Sequence, residues 1–424
     1  MSHDRHETGF KDRTRVADAR ETLLGAATPH ERVETVPLAD ADRRVVAEPV
    51  DAPAPVPGYD RAAMDGYAVR AQDTFGASGR SPEVLRRADG GDGTAGTGGS
   101  GDADGDGDAV VGPGEAVRVH TGSALPAGAN AVVMIEEVEE VGDDVETFDA
   151  VAEGENVGPA GEDVAEGQRL YEPGHRLRPS DLGLLKSVGL TEVPVHERPE
   201  VAVIPTGEEL VQSDPGPGEV IETNGLTVSR MAERWGAATR YRDVVTDDED
   251  ALRAAVERDL DADVVVTTGG SSVGERDLLP EVLDAVGEVL VHGVALKPGH
   301  PVCLGVADGT PVVCLPGYPV ACIVNAVQFL RPVIAAVTGT EAPPHPTRRA
   351  TLTRKIASEP GTRTFARVRL ADGEEGTVAE PTRASGSGVL SSVALADGWV
   401  VVPEEREGID AGETVEVQIW EAAE

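Results

Sequence analysis

Apolar and polar positions along the chain follow two periods, and the change from one to the other divides it. VADARETLLGAA has helical spacing, so a helix is expected over Thr14 to Ala27. Short β-like segments then run to Val50, and prolines dominate from Pro53 to Pro57. The next segment, YDRAAMDGYAVR, is a loop leading into strand-like sequence. AVRVHTGSALPAGANAVVMIEEVEEV alternates apolar and polar residues around turn signals, as a small antiparallel unit does. Glu153 to Leu177 is Gly-rich and irregular, and Ser180 to Val188 reads as a short helix with Ser180 as its N-cap.

From Glu200 strands and helices alternate. VAVIP (201–205) predicts a buried strand ending in Thr-Gly. Helix Gly225–Trp235, strand Thr239–Val245 and helix Asp248–Asp259 follow it. ADVVVTT (262–268) is the continuous β-branched run that a parallel strand covered on both faces requires. A helix over Asp277–Ala285, strands at 289–295, 302–306 and 311–315, and a long helix from Pro319 complete the unit. This order argues a doubly wound α/β domain. From Arg348 the sequence is β-like with Gly-rich turns, which predicts a small barrel or sandwich.

Composition adds a strong electrostatic constraint. Lys and Arg total 37 against 76 Asp and Glu, a formal charge of −39. Such a surface repels nucleic acid and anionic membranes, so a phosphate site has to be local. The carboxylates are spread along the whole chain, as in the solvated acidic coat of proteins adapted to high salt, and not gathered into one tail. Residues 89–109 are low-complexity Gly and Asp and predict a disordered acidic loop. Its DxDxD look lacks the apolar position and terminal Glu of a calcium loop. Cys303, Cys314 and Cys322 have neither zinc-site spacing nor an even count, and read as buried thiols. The N-terminus has no apolar signal core, and Pro319–Val337 is interrupted by Asn325, Gln328 and Arg331. A soluble cytoplasmic protein is expected.

Candidate chemistry gathers where strands of the α/β domain end, the place where open parallel sheets bind ligands. Three loops qualify: Thr206-Gly207-Glu208-Glu209, Thr268-Gly269-Gly270-Ser271-Ser272-Val273-Gly274, and Leu315-Pro316-Gly317-Tyr318-Pro319. Paired glycines let successive N–H groups surround a phosphate. No Lys follows the last Gly, so this is not a Walker A loop, and the spacing is not that of a dinucleotide fingerprint. Glu209, Glu275 and Asp277 would repel a phosphate unless a divalent cation intervenes, and Mg²⁺ on Asp277 and Glu209 resolves the conflict. The bland alternative is that these acids cap helices. Lys297-Pro298-Gly299-His300-Pro301 places a scarce Lys in a rigid turn, suited to an oxyanion.

TTGGSSVGERD, KPGHP and LPGYPV, in this order and spacing, resemble the molybdopterin-binding domain of the MoeA family, to which the C-terminal part of gephyrin also belongs. AAMDGYA (62–68) resembles that family's loop with an essential Asp, here Asp65. TGSALPAGANAVV resembles its hairpin carrying Thr121, GEDV supplies Asp163, and PTGEEL supplies Glu209. GTRTFARV and SGSGVLSS resemble segments of its C-terminal β domain and carry Arg363 and Ser391. The resemblance spans roughly residues 15 to 420.

It implies a multidomain fold: an elongated N-terminal dimerisation domain (14–50 and 153–198), an inserted β domain (51–152), a MogA-like α/β domain (199–345) and a C-terminal β-barrel (346–424). It also implies a homodimer whose cleft sets Asp65, Thr121 and Asp163 of one subunit opposite the phosphate loop of the other. The implied activity is insertion of molybdate into adenylylated molybdopterin, supplied by a MogA/MoaB-like protein, with release of AMP. Phosphates would lie on the 269–274 loop, and molybdate near Lys297, Arg363 and Ser391; Asp65 would orient the attacking water. His300, Tyr318 and Ala321 stand where the family commonly has Lys, Asn and Ser, and residues 157–160 lack the Arg that often precedes the GEDV-like motif. A tungstate-inserting or catalytically quiet paralogue is therefore the alternative. A pterin adenylyltransferase would resemble the α/β domain alone, and a receptor scaffold would need a clustering region that is not evident.

Overall fold

The computed structural model describes residues 13–88, 109–269, 278–374, 376–382 and 386–421. Gly270 to Asp277, and the expected acidic loop except Ala109, lie outside the described residues. The chain divides into two compact units, Met1–Glu34 with His196–Glu424, and Thr35–Val195.

The first unit is built on a six-stranded sheet in the order 238–241, 200–205, 264–268, 310–315, 303–307, 288–292. The first four strands are parallel, and the last two add an antiparallel edge. Val264, Val265 and Val266 are fully buried because helices and loops cover both faces, each side chain contributing about 1.5–3 kcal/mol. Chain order reverses between strands Glu200–Pro205 and Val264–Thr268, so the crevice of this sheet opens at their carboxyl ends.

The long helix expected from Pro319 runs to Val337 with a π turn over Ala326–Leu330. It is long and apolar enough to cross a membrane, yet most of it is buried inside the protein. Two of its polar interruptions form hydrogen bonds in place. Asn325 Nδ2 donates to the carbonyls of Gly299 (2.9 Å) and Ala321 (2.8 Å), and Gln328 Oε1 accepts from Arg20 at 2.7 Å.

Two expectations are corrected. The N-terminal helix, Val16–Ala26, does not group with residues 153–198: its stripe Val16, Ala19, Leu23 is buried in one core with Val324, Phe329 and Leu330 of the α/β domain. Sequence periodicity identifies such a stripe but not the surface that covers it. The helix expected from an N-cap at Ser180 begins instead at Pro179, with Arg178 at the N-cap, because proline pre-sets the first helical φ. Asp181 Oδ2 accepts from the Arg178 amide at 2.9 Å.

The C-terminal strands 347–352, 363–373, 376–381, 398–402 and 414–418 close on themselves, so this part is a five-stranded barrel and not a sandwich. Leu296–Lys297 joins it as an extra parallel strand beside Arg363–Thr364.

The second unit contains a six-stranded sheet ordered 131–134, 66–69, 115–119, 83–87, 144–147, 138–141. Tyr67, Val69, Leu85 and Val133 fill its core. A separate core of Val36, Val46, Val50, Leu177, Leu185 and Val195 joins residues either side of that sheet in sequence.

Candidate functional site

At the switch point the strand ends that carry the three expected loops come together. Thr206 follows one strand and Thr268 ends its parallel neighbour, with Pro205 in register with Thr268. Both threonines are 1% exposed, and their hydroxyls have no hydrogen-bond partner among the described residues. Gly269 has φ +140°, and a Cβ on it would lie 2.1 Å from the Thr206 carbonyl oxygen and 3.0 Å from Thr206 Oγ1. Only glycine fits there. The Gly269 amide donates to the Leu315 carbonyl at 3.0 Å. Pro316 and Gly317 continue from that strand, and a Cβ on Gly317 would lie 3.5 Å from the Gly269 Cα. Pro319 starts the helix behind them. Three strand ends therefore converge on one glycine, while Gly270, Ser271, Ser272, Gly274 and Asp277 lie outside the described residues.

Glu209 is exposed and folds back over Gly207, where a Cβ would meet its Oε2 at 2.8 Å. A neighbouring acid was missed in the sequence. Asp247 has a buried Oδ1 without a hydrogen-bond partner among the described residues, and burial, then the charges of Glu209 and Glu208, push its carboxyl above the ordinary range. The parallel bridge between Thr206 and Val245 carries Asp247 to this edge. In the sequence its only signal is an acidic pair before a helix, where Asp248 is the cap that accepts from the Ala251 amide. Among the described residues, no group of three or more His, Cys, Asp or Glu side chains has metal-holding geometry, and the expected Mg²⁺ pair cannot be assembled without Asp277.

Lys297 and Arg363 are brought to neighbouring strands, with Leu296 in register with Arg363. Neither is an uncompensated charge. Lys297 Nζ lies 3.0 Å from Glu359 Oε1, and Arg363 Nη2 lies 3.0 Å from the buried Glu404 Oε2. An arriving oxyanion has to compete with these carboxylates. Pro298 and Gly299 form the turn after Lys297, with Gly299 held at φ +108° against Asn325. His300 is pushed below its usual range by burial and then by Arg13, so it is neutral at pH 7 and its titration lies below neutrality. Ser391 is exposed at the start of a single helical turn.

The second unit brings Asp65 and Thr121 together. Gly66 pairs with Val119 in antiparallel register, which puts both residues at one end of adjacent strands. Asp65 Oδ1 accepts from the Thr121 amide (2.7 Å) and hydroxyl (2.9 Å), and these two bonds hold its carboxyl below the usual range. Asp163 is exposed on a turn whose amide donates to the Val56 carbonyl at 3.0 Å; no hydrogen bond to Asp65 or Thr121 is formed. The three cysteines are buried and unbridged, and burial raises the Cys322 thiol far above physiological pH.

Three family models match consecutive stretches: the MoeA N-terminal region (domain I and II) at residues 14–189, the "Probable molybdopterin binding domain" at 202–336, and the MoeA C-terminal region (domain IV) at 349–420. The chain belongs to the MoeA family. Molybdopterin molybdenumtransferase 2 of Mycobacterium tuberculosis is 35% identical over 401 residues, covering 91% of this chain and 94% of that protein. Molybdopterin molybdenumtransferase of Bacillus subtilis is 34% identical over 396 residues, covering 91% and 89%. The crystal structure of a MoeA protein from Pyrococcus horikoshii superposes with TM-score 0.81 at 34% identity, covering 97% of this chain and all of that one. The protein is thus a transferase of molybdenum cofactor biosynthesis, with an α/β domain of the probable molybdopterin binding type and a C-terminal barrel.

Proposed function

We propose that this protein inserts molybdate into adenylylated molybdopterin, with hydrolysis of the pyrophosphate linkage and release of AMP. The observation that carries the reading is the switch-point crevice, where the Thr206 and Thr268 hydroxyls are buried without partners among the described residues, beside a glycine that admits no side chain. Buried hydroxyls at the carboxyl ends of parallel strands suit a phosphorylated ligand. Lys297 and Arg363 hold molybdate by exchanging Glu359 and Glu404 for the oxyanion, and Ser391 adds a hydroxyl.

The carboxylates Glu209 and Asp247, together with Asp277, would hold Mg²⁺, which when bound stabilises charge developing on phosphoryl oxygens. The Oδ1 of Asp247, without a hydrogen-bond partner among the described residues and crowded by Glu208 and Glu209, fits such a cation. Asp65 stays ionised because Thr121 saturates its Oδ1, so Oδ2 is the oxygen that orients water. A homodimer, in which Asp65, Thr121 and Asp163 of one subunit complete the crevice of the other, and supply of the adenylylated pterin by a MogA/MoaB-like protein, belong to the same reading.

A second reading, a catalytically quiet cofactor-binding relative, is favoured by the paired state of Lys297 and Arg363 and the neutral His300. One assay separates the two. Adenylylated molybdopterin, Mg²⁺ and molybdate or tungstate are supplied at high salt, and AMP and finished cofactor are measured. Oxyanion-dependent AMP release is expected, and the oxyanion giving faster release is the native one. Binding without release rejects the enzyme reading.

A further inference from the structure

The crevice described above handles charge, but a ligand of the proposed class also carries flat heteroaromatic rings. The described strand-end residues, Thr206, Gly207, Thr268, Gly269, Pro316 and Gly317, are small and offer no ring face. The next residue does. Tyr318 is 65% exposed, an unusual state for so large a ring. It is not a loose surface side chain. A Cβ placed on Gly388 would lie 3.3 Å from Tyr318 Cδ1 and 3.7 Å from Cε1, so the ring rests on the bare backbone of that glycine. The supporting segment is itself docked, because Ser387 accepts at its carbonyl from the Val320 amide at 2.9 Å. On the other side Asn224 Nδ2 donates to the Gly317 carbonyl at 2.7 Å, and Gly317 packs on Gly269. The ring is thereby fixed one residue away from contact with the first glycine of the phosphate loop.

We infer that Tyr318, seated on Gly388 beside the Gly317–Gly269 contact, is a stacking platform for a planar heteroaromatic ring borne by a phosphate or pyrophosphate. The inference rests on the reading under Proposed function and names what that crevice does with the ring of its substrate. A tyrosine brings a large rigid face at low conformational cost, since only two torsions are ordered. In a chain of charge −39 the long-range field opposes an anionic ligand. Stacking is insensitive to that field and to salt, so it supplies affinity where ionic contacts are weakest. The two ring sources are the adenine and the pterin of the same substrate.

The test compares the full-length protein with Tyr318→Phe, Tyr318→Leu and Tyr318→Ala at about 1 M KCl, where ionic contacts beyond about 3 Å are screened. The ligands titrated are adenylylated molybdopterin, AMP and ribose 5-phosphate. Tyr318→Ala and Tyr318→Leu are expected to weaken adenylylated molybdopterin by about tenfold, with Tyr318→Phe within about twofold of the parent. Ribose 5-phosphate should bind all four alike. A matching loss for AMP assigns the platform to adenine; a loss for adenylylated molybdopterin without one for AMP assigns it to the pterin. Full affinity in Tyr318→Leu or Tyr318→Ala, with a parent that binds and releases AMP, overturns the platform and leaves the proposed function standing. A parent that does not bind adenylylated molybdopterin overturns both.

Discussion

Single residues carry the sharpest tests because their energetic signs are opposed. The Thr206 hydroxyl is buried with no partner among the described residues, so folding gains nothing from it there. Thr206→Val should leave the melting midpoint unchanged or raise it, while affinity for a phosphorylated ligand falls about tenfold, the cost of one buried hydrogen bond to a charged group. A variant that loses stability instead would show the hydroxyl to be structural. His345 offers a pH test. Burial first, then Arg331 and Arg20, push it from the ordinary 6.5 down to about 4. Between those values the unfolded chain takes up a proton that the folded protein refuses, so stability is complete above 6.5 and falls as the pH drops towards 4. His345→Gln should shrink the drop in urea midpoint between about pH 7.5 and 5. An identical drop in parent and variant rejects the assignment. At this scale the sequence showed Lys297 as a scarce cation in a rigid turn, but not Glu359, which joins it across 62 positions.

Elements decide what the residues can reach. The parallel order of strands Ala238–Tyr241, Glu200–Pro205 and Val264–Thr268 sets Asp247, Glu209 and Gly269 along one sheet edge. Gly269 was legible because its backbone demands a residue without a side chain. Asp247 was not, because an acidic pair before a helix is also what a cap looks like. The glycine requirement predicts that Gly269→Ala, whose Cβ would sit 2.1 Å from the Thr206 carbonyl oxygen, costs about 1–3 kcal/mol of stability and abolishes phosphate-ligand binding. Denaturant unfolding and calorimetric titration check both halves, and a variant as stable as its parent would contradict the steric argument. The misplaced N-terminal helix has the same origin as Asp247: Val16, Ala19 and Leu23 announce a buried stripe, and the surface burying it lies some 300 residues away in sequence.

On the scale of the whole molecule, charge sets the working conditions. Its 76 carboxylates against 37 Lys and Arg repel one another in the compact state, and many of the ion pairs formed are exposed and individually weak. Raising KCl from about 0.1 to 1 M shortens the Debye length from about 10 to 3 Å. The melting midpoint should therefore rise, by about 5 °C or more, whereas a protein held mainly by its ion pairs would lose stability over the same range. A midpoint that falls with salt would remove the acidic-coat reading.

The linear sequence by itself determined the α/β alternation, the strand that must be buried on both faces, the glycine at position 269, the rare Lys297 and the order of motifs that resembles the MoeA family. These depend on local periodicity, backbone conformational freedom and residue scarcity, all of which can be read one stretch at a time. Tertiary structure alone decided that the last strands close into a barrel, that the first helix packs on the α/β sheet, that Lys297 and Arg363 meet carboxylates, and that Asp247 and Tyr318 stand beside Gly269's strand ends. Each of these is a contact between segments far apart in the chain. Which partner wins such a contact depends on sheet order and on what else competes for the same surface, and neither is encoded in any short run of residues.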